Sequence, residues 1–260
     1  MNADLDLAQH LADAADRITM RHFRSVDLRV EDKPDHTPVS NADRETEERL
    51  RGMLATERPA DAVVGEEFGS DGEANRRWIL DPVDATKNYI RGIPVFATLI
   101  ALEQDGDITV GVVSAPALGA RWWASRGDGA FSGDRRLQVS GIATLREAQL
   151  CHAGFEEWSE GGSPNALADL AGRCARTRGF GDFWQHMLVA QGSAEMAVDP
   201  VVSLWDVAAV KVIVEESGGT FTDLSGAPGP DGGSALSSNG LLHAEALKYI
   251  GRHPGARGRA

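Results

Sequence analysis

The sequence predicts a mixed α/β (α+β) fold, and three stretches carry that prediction. The runs Val95 to Leu102 and Ile108 to Ser114 flank Gln104-Asp105-Gly106-Asp107, and Asp-Gly between two apolar runs is a strong hairpin signal. Residues Leu5 to Phe23 instead place Leu7, Leu11, Ala14, Ala15, Ile18 and His22 at helical spacing, the pattern of an amphipathic helix with one buried face. From about Leu145 strands alternate with helices, so a second subdomain is expected there, dividing the chain into residues 1–145 and 146–260.

Bulk properties set limits on partners. A chain of 260 residues can bury a large core, as one large domain or two modest ones. Its net charge of -13 disfavours nucleic acid and anionic membranes, so any small anionic ligand would need a locally attractive site. Cys151 and Cys174 form no metal-ligand spacing and read as reduced thiols of a cytoplasmic protein. No apolar run approaches the roughly 18 to 20 residues a membrane helix needs, and the N-terminus is acidic rather than a basic leader.

Along the chain, two prolines and several charges between Val30 and Ser40 predict a mobile loop. Ser40 or Asn41 then caps a helix through Leu50 to Leu54, with Asp43 in its first turn. Val63-Val64 reads as a strand ending at Gly65-Glu66-Glu67, followed by the turn-rich Gly69 to Glu73. Trp78 to Leu80 is a short buried strand, expected to end at Asp81 because Pro82 cannot donate to a ladder. After the hairpin, Arg121 to Ala124 and Gly129 to Gly133 extend the sheet. In the second half, Ser163 to Ala175 and Phe183 to Gln191 read as helices separated by a loop from Arg176 to Asp182. The apolar helix Trp205 to Glu216 ends at Gly218-Gly219, a C-cap signal, and is followed by the strand Thr220 to Thr222 and a last helix, Leu241 to Ile250. The tail from Gly251 to Ala260 reads as a disordered, solvated end.

The chemistry concentrates at Trp78-Ile79-Leu80-Asp81-Pro82-Val83-Asp84-Ala85-Thr86-Lys87-Asn88-Tyr89. Asp84 lies one tight turn beyond Asp81 and can aim at the same point, so two like charges share a small space. Unless one is protonated, the pair needs a cation, and hard oxygen ligands select Mg²⁺, Mn²⁺ or Ca²⁺ over Zn²⁺. The alternative is that both aspartates merely cap the helix-like segment Thr86 to Arg91. Glu66-Glu67 at a second strand end, and Asp206 in the first turn of a helix where the dipole favours anions, supply the wider context for a metal site.

Gly65-Glu66-Glu67, the Trp78 to Tyr89 stretch, and Trp205-Asp206-Val207-Ala208-Ala209 ending at Gly218-Gly219 together resemble the inositol monophosphatase family of metal-dependent, lithium-sensitive phosphatases. One departure is Ala85, where the family usually has Gly, and Ala tolerates positive φ poorly.

The resemblance implies a layered αβαβα sandwich, most of the metal ligands in the first half, and a homodimer. It implies two to three Mg²⁺ ions, with Mn²⁺ a substitute, held by Glu66, Asp81, the Val83 carbonyl, Asp84 and Asp206. Thr86, oriented by Asp43, would position a water with Glu67 close by, while N–H groups of the Ala85-Thr86 turn hold phosphate. Asp43 could instead only complement its helix dipole. Lys33 lies near a lysine of the family's mobile flap. The family uses the segment around Arg178, Gly181, Asp182 and Phe183 to hold the rest of the substrate, and Asp199 stands where inositol-specific relatives have a substrate-binding Glu. Against that, Arg178 could be a plain surface cation and Phe183 a packing residue. Arg178 to Trp184 and Lys87 to Gly92 resemble the histidinol-phosphatase branch, and acids at the non-phosphate end suit an aminoalcohol better than a neutral polyol. The expected substrate is therefore a small phosphate monoester, L-histidinol phosphate. Inositol 1-phosphate is the alternative, with another sugar or nucleotide phosphate of the family's range behind it, and a non-enzymatic phosphate-binding module is the reading disfavoured by the intact acidic set.

Overall fold

A computed structural model describes residues 2–34 and 37–251. The first helix, α1 (Ala3–His22), is capped by the Asn2 side chain and buries Leu7, Leu11, Ala14 and Ala15, the predicted stripe. Where a loop was expected, β1 (Val30–Asp32) pairs antiparallel with β2 (Pro38–Ser40). A two-stranded ribbon leaves one edge of each strand unpaired, so Pro38 sits in it without breaking a ladder. Helix α2 (Asn41–Glu57) opens on a capping box in which Ser40 and Asp43 satisfy each other's backbone.

The next strands are β3 (Ala62–Gly65), β4 (Gly69–Asp71) and β5 (Arg76–Asp84), followed by the short helix α3 (Thr86–Ile90). Gly69 to Asp71 is thus an exposed edge strand rather than part of a free turn. Then come β6 (Ala97–Gln104), β7 (Asp107–Ala115), β8 (Ala120–Ser125), β9 (Gly129–Ser132) and β10 (Arg135–Arg136). They form an eight-stranded sheet in the order β10-β9-β8-β7-β6-β5-β3-β4, antiparallel except where β3 runs parallel to β5. The predicted hairpin joins β6 to β7, with Asp105 and Gly106 both at positive φ (54° and 86°), as a type I′ turn requires.

The remaining elements are β11 (Gln149–His152), α4 (Phe155–Gly161), α5 (Pro164–Ala171), β12 (Arg176–Arg178), α6 (Asp182–Ala190), β13 (Met196–Asp199), α7 (Leu204–Glu216), β14 (Thr220–Thr222), β15 (Ala235–Ser238) and α8 (His243–Ile250). The first part of the expected 176–182 loop is strand β12, paired parallel to β11. A five-stranded sheet results, in the order β12-β11-β13-β15-β14. The tail residues 252–260 lie outside the described residues.

Alternation along the strands explains the layering. On β5 and β6, Trp78, Leu80, Ile100 and Leu102 pack against α1 and α2, while Ile79, Leu99 and Ala101 face α6 and α7. Helices α6 and α7 also pack on the five-stranded sheet, whose other face, through Leu150, Met196, Val198 and Leu236, buries α4, α5 and α8. The architecture is a layered αβαβα sandwich. Helix α7 lies close on β7 because Gly111 has no side chain; a Cβ there would meet Val212 Cγ1 at 2.5 Å and the Ala209 carbonyl at 2.7 Å. Helix α7 also contacts β5, with Asp206 in its first turn.

Candidate active site

Strand β5 does not stop at Asp81. It runs on to Asp84, and its register against β6 slips from Asp81↔Leu99 to Asp84↔Ala97, so β5 carries one extra residue. Pro82 falls in that bulge, where no ladder N–H is needed, and its carbonyl accepts from Thr98 Oγ1 at 2.8 Å. Asp81 follows Ile79 by two positions and so points to the same face, toward α7. The bulge turns Asp84 to the same side. Asp206 meets them from α7, where it is the third residue of a second capping box and its Oδ2 accepts from Ser203 N–H at 2.7 Å. Carboxylate oxygens of Asp81, Asp84 and Asp206 all lie within 4.8 Å of one another.

Glu66 and Glu67 follow β3 at the rim of this cluster. Lys33, between β1 and β2, reaches both, at 2.8 Å to Glu66 Oε1 and 2.6 Å to Glu67 Oε1. Burial works against the Lys33 charge, but the two carboxylates more than offset it and raise its pKa. The turn is anchored by a residue whose role the sequence did not reveal. Buried Glu47 of α2 accepts from the N–H groups of Glu67 (2.7 Å) and Phe68 (3.3 Å), and a Cβ on Gly65 would collide with it.

Asp43 is buried, and its Oδ2 accepts from Ser40 N–H at 2.8 Å. Its Oδ1 lies 3.3 Å from Thr86 Oγ1, which also reaches the Val83 carbonyl at 2.9 Å. Ala85, between Asp84 and Thr86, adopts φ 65° and ψ 44°, the left-handed region. Its methyl group is therefore accommodated at a cost of about 1 kcal/mol rather than by a different backbone path.

The crowding of acids shows in their titration. Asp81 and Asp84 are raised well above the ordinary carboxylate range, first by burial and then by neighbouring carboxylates. Asp206 is pushed up to about 7 by burial, against the Ser203 N–H, which favours the charged form. Burial also raises Glu67 to about 7 and Asp43 to about 6.

Beyond Asp84 and Asp206 a narrow cavity of about 50 Å³ extends between the second sheet and α6, lined further by Glu157, Asp182, His186 and Asp199. Gly181 (φ 70°) and Asp182 (φ 53°) bend the chain into α6, leaving the Asp182 carboxyl open to solvent at the cavity mouth. Burial of its surroundings and the charge of Asp199 raise its pKa, an effect that water on its open side screens. Phe183 reaches the site only through its backbone N–H, which donates to Asp84 Oδ2 at 2.9 Å; its ring is buried against Trp122. Asp199 is braced on both oxygens, by Gln185 Nε2 and His186 Nε2, each at 2.6 Å. Arg178 is exposed on β12, where its guanidinium donates to the Thr177 carbonyl. It is not among the residues lining the cavity. Glu157 and His186 went unread in the sequence, the first because α4 gave no periodic signal and the second because a helical histidine on an apolar face reads as packing.

The inositol monophosphatase family matches residues 2–254. The chain belongs to the inositol monophosphatase family. Within it, the chain is 52% identical to a histidinol-phosphatase of Streptomyces coelicolor, covering 95% of this chain and 96% of that protein. It is 49% identical to a histidinol-phosphatase of Mycobacterium tuberculosis, covering 95% and 97%. Among solved structures, an IMPase of Thermotoga maritima superposes with a TM-score of 0.86 at 30% identity, covering 95% of this chain and 96% of that one.

The family is metal-dependent, and this chain's residues fit a hard divalent cation. The donors that converge are carboxylate oxygens, the set such ions prefer. Asp81 Oδ1 is buried with no hydrogen-bond partner among the described residues, a cost that a coordinated cation removes.

Proposed function

We propose that the chain hydrolyses L-histidinol phosphate to L-histidinol and phosphate, using two to three Mg²⁺ ions for which Mn²⁺ can substitute. The observation that carries this reading is one cavity whose lining joins the cation-binding acids Asp84 and Asp206 to a second acidic group, Glu157, Asp182 and Asp199. The first end suits a metal-held phosphate and the second an ammonium or imidazole. The names of the Streptomyces and Mycobacterium relatives support the same substrate. The reading extends to lithium inhibition, a cytoplasmic homodimer and a place in histidine biosynthesis.

Glu66, Asp81 and the Val83 carbonyl would hold one ion, Asp81, Asp84 and Asp206 a second, and Glu66 a weaker third. Bound there, the ions would neutralise phosphoryl charge and acidify water. The chain's own residues do the positioning. Thr86 donates its single hydroxyl proton to Asp43 or to the Val83 carbonyl, leaving its oxygen lone pairs to accept from the attacking water and so fix its orientation. Glu67 stands by as an acceptor of the water's second proton. The N–H groups opening α3 have no intrahelical acceptors and are offered to the phosphate oxygens. Phe183 N–H holds one oxygen of Asp84, which keeps that carboxylate aimed at the cluster.

The test is kcat/KM for L-histidinol phosphate and inositol 1-phosphate measured side by side, with and without Mg²⁺. Histidinol phosphate is expected to win by at least about tenfold, a difference of about 1.4 kcal/mol in transition-state binding, and only with metal. A tenfold preference for inositol phosphate would transfer the chain to that activity.

A further inference from the structure

We infer that Glu157 of α4 is a substrate-binding residue that pairs with the ammonium group of an aminoalcohol phosphate ester. The inference rests on the hydrolase reading above and assigns a role to a residue outside the family motifs.

The cavity holds three acids away from the metal end, and they are not equivalent. Asp199 already accepts hydrogen bonds on both oxygens, from Gln185 and from His186, whose other ring nitrogen is bonded to Ser237 Oγ at 2.7 Å. Asp182 stands at the solvent-open mouth, where water screens its charge. Glu157 is half-buried, lines the same cavity, and has no hydrogen bond or salt bridge to its carboxyl among the described residues. Burial, then repulsion from Asp199 and Asp182, pushes it up to about 7, with Lys87 only partly countering them. A carboxylate in such surroundings gains most from a cation brought by the ligand.

Gln185 stays within the protein's own network: it is fully buried, bonds Asp199 through Nε2 and is not among the residues lining the cavity. The Glu157 carboxylate, which can only accept, favours a ligand rich in N–H donors. An ammonium carries three. The apolar remainder of the lining, Val201, Val202 and Val207, suits the carbon chain between nitrogen and ester. The competing explanation is that Glu157 only complements the dipole of α4, since it sits in that helix's first turn beside Glu156.

Two esters that differ in one group separate these accounts: 2-aminoethyl phosphate, the core of histidinol phosphate, and 2-hydroxyethyl phosphate. Phosphate release by the full chain with Mg²⁺ is followed for the wild type, Glu157→Gln, Glu157→Asp and the neighbouring Glu156→Gln. The wild type is expected to prefer the aminoethyl ester. Glu157→Gln lowers that preference about tenfold through KM, with the hydroxyethyl ester unaffected, as loss of one charged hydrogen bond predicts. Glu157→Asp keeps part of the preference, and Glu156→Gln keeps all of it. A ratio unchanged in Glu157→Gln, an equal loss on both esters, or an equal fall in Glu156→Gln overturns the inference. If neither these esters nor histidinol phosphate release phosphate, the hydrolase reading has failed and the inference falls with it. If histidinol phosphate is hydrolysed but the wild type shows no aminoethyl preference, the inference fails alone.

Discussion

The two ends of the cavity are built on different principles. At the end proposed to hold metal, Asp84 and Asp206 each accept from a backbone N–H on one oxygen, of Phe183 and of Ser203, and keep the other for the cluster. Asp43 does the same at the start of α2, with Ser40 N–H on one oxygen and Thr86 on the other. At the end proposed to hold the rest of the substrate, carboxylates are either braced by side chains, as Asp199 is, or carry no hydrogen bond among the described residues, as at Glu157. Backbone anchoring fixes a charge to within the tolerance that coordination and phosphoryl transfer require. Side-chain bracing allows the pocket to be retuned without disturbing the cluster. Substitutions at the first end should therefore strike kcat, and those at the second KM.

The sharpest attempt to break that contrast is Asp84→Asn. It should cut metal-dependent kcat by more than about a hundredfold while circular dichroism stays native, since the amide removes a charge from the ligand set but keeps the shape. Substantial activity in a folded variant would contradict the assignment. Next in size, Asp199→Asn should raise KM for histidinol phosphate roughly tenfold with kcat nearly preserved; a collapse of kcat instead would erase the distinction between the ends.

A smaller effect is the pH dependence of the metal-free protein's stability. In the metal-free protein Asp206 and Glu67 have folded pKa values raised to about 7, above their unfolded values, so the folded state binds more protons. The stability they contribute is present at low pH and is lost as pH rises through 7. His243 works oppositely: burial lowers it to about 4, so stability is lost as pH falls from about 6.5 toward 4. The Tm of the metal-free protein should thus fall between pH 6.5 and pH 8, and Mg²⁺ should reduce that fall by replacing the protons at the cluster, leaving the part due to Glu67 and to Glu157, also raised to about 7. A metal-free Tm that rises across this interval would show that the cluster's charges are already compensated. Smallest is Ala85→Gly, which relieves a left-handed alanine but adds glycine's backbone entropy, for a net gain of about 0.5 kcal/mol in thermal or urea unfolding.

Much of the metal end was legible because its chemistry is tied to local backbone rules. Ser40 reads as a cap with Asp43 in the first turn and folds as a capping box, and Ser203, a cap not predicted from the sequence, builds the same box with Asp206. The strand expected to stop at Pro82 continues because a bulge absorbs the missing N–H, which depends on a register with β6 that no local pattern encodes. The substrate end was less legible. Phe183 precedes an apolar helix, and only the packed structure shows that its ring belongs to the core while its N–H serves the site. Glu47 lies mid-helix, where a charged residue reads as solvated, and its partners are backbone groups on a distant turn.

The central claim is that Asp206, from the second half of the chain, completes a cation site begun by Asp81 and Asp84 in the first. Mn²⁺ titration followed by electron paramagnetic resonance, on the wild type and on folded Asp206→Asn, tests it without reference to substrate. The variant should lose one tightly bound Mn²⁺ per chain, or bind it at least about tenfold more weakly. Unchanged stoichiometry and affinity would contradict the shared site.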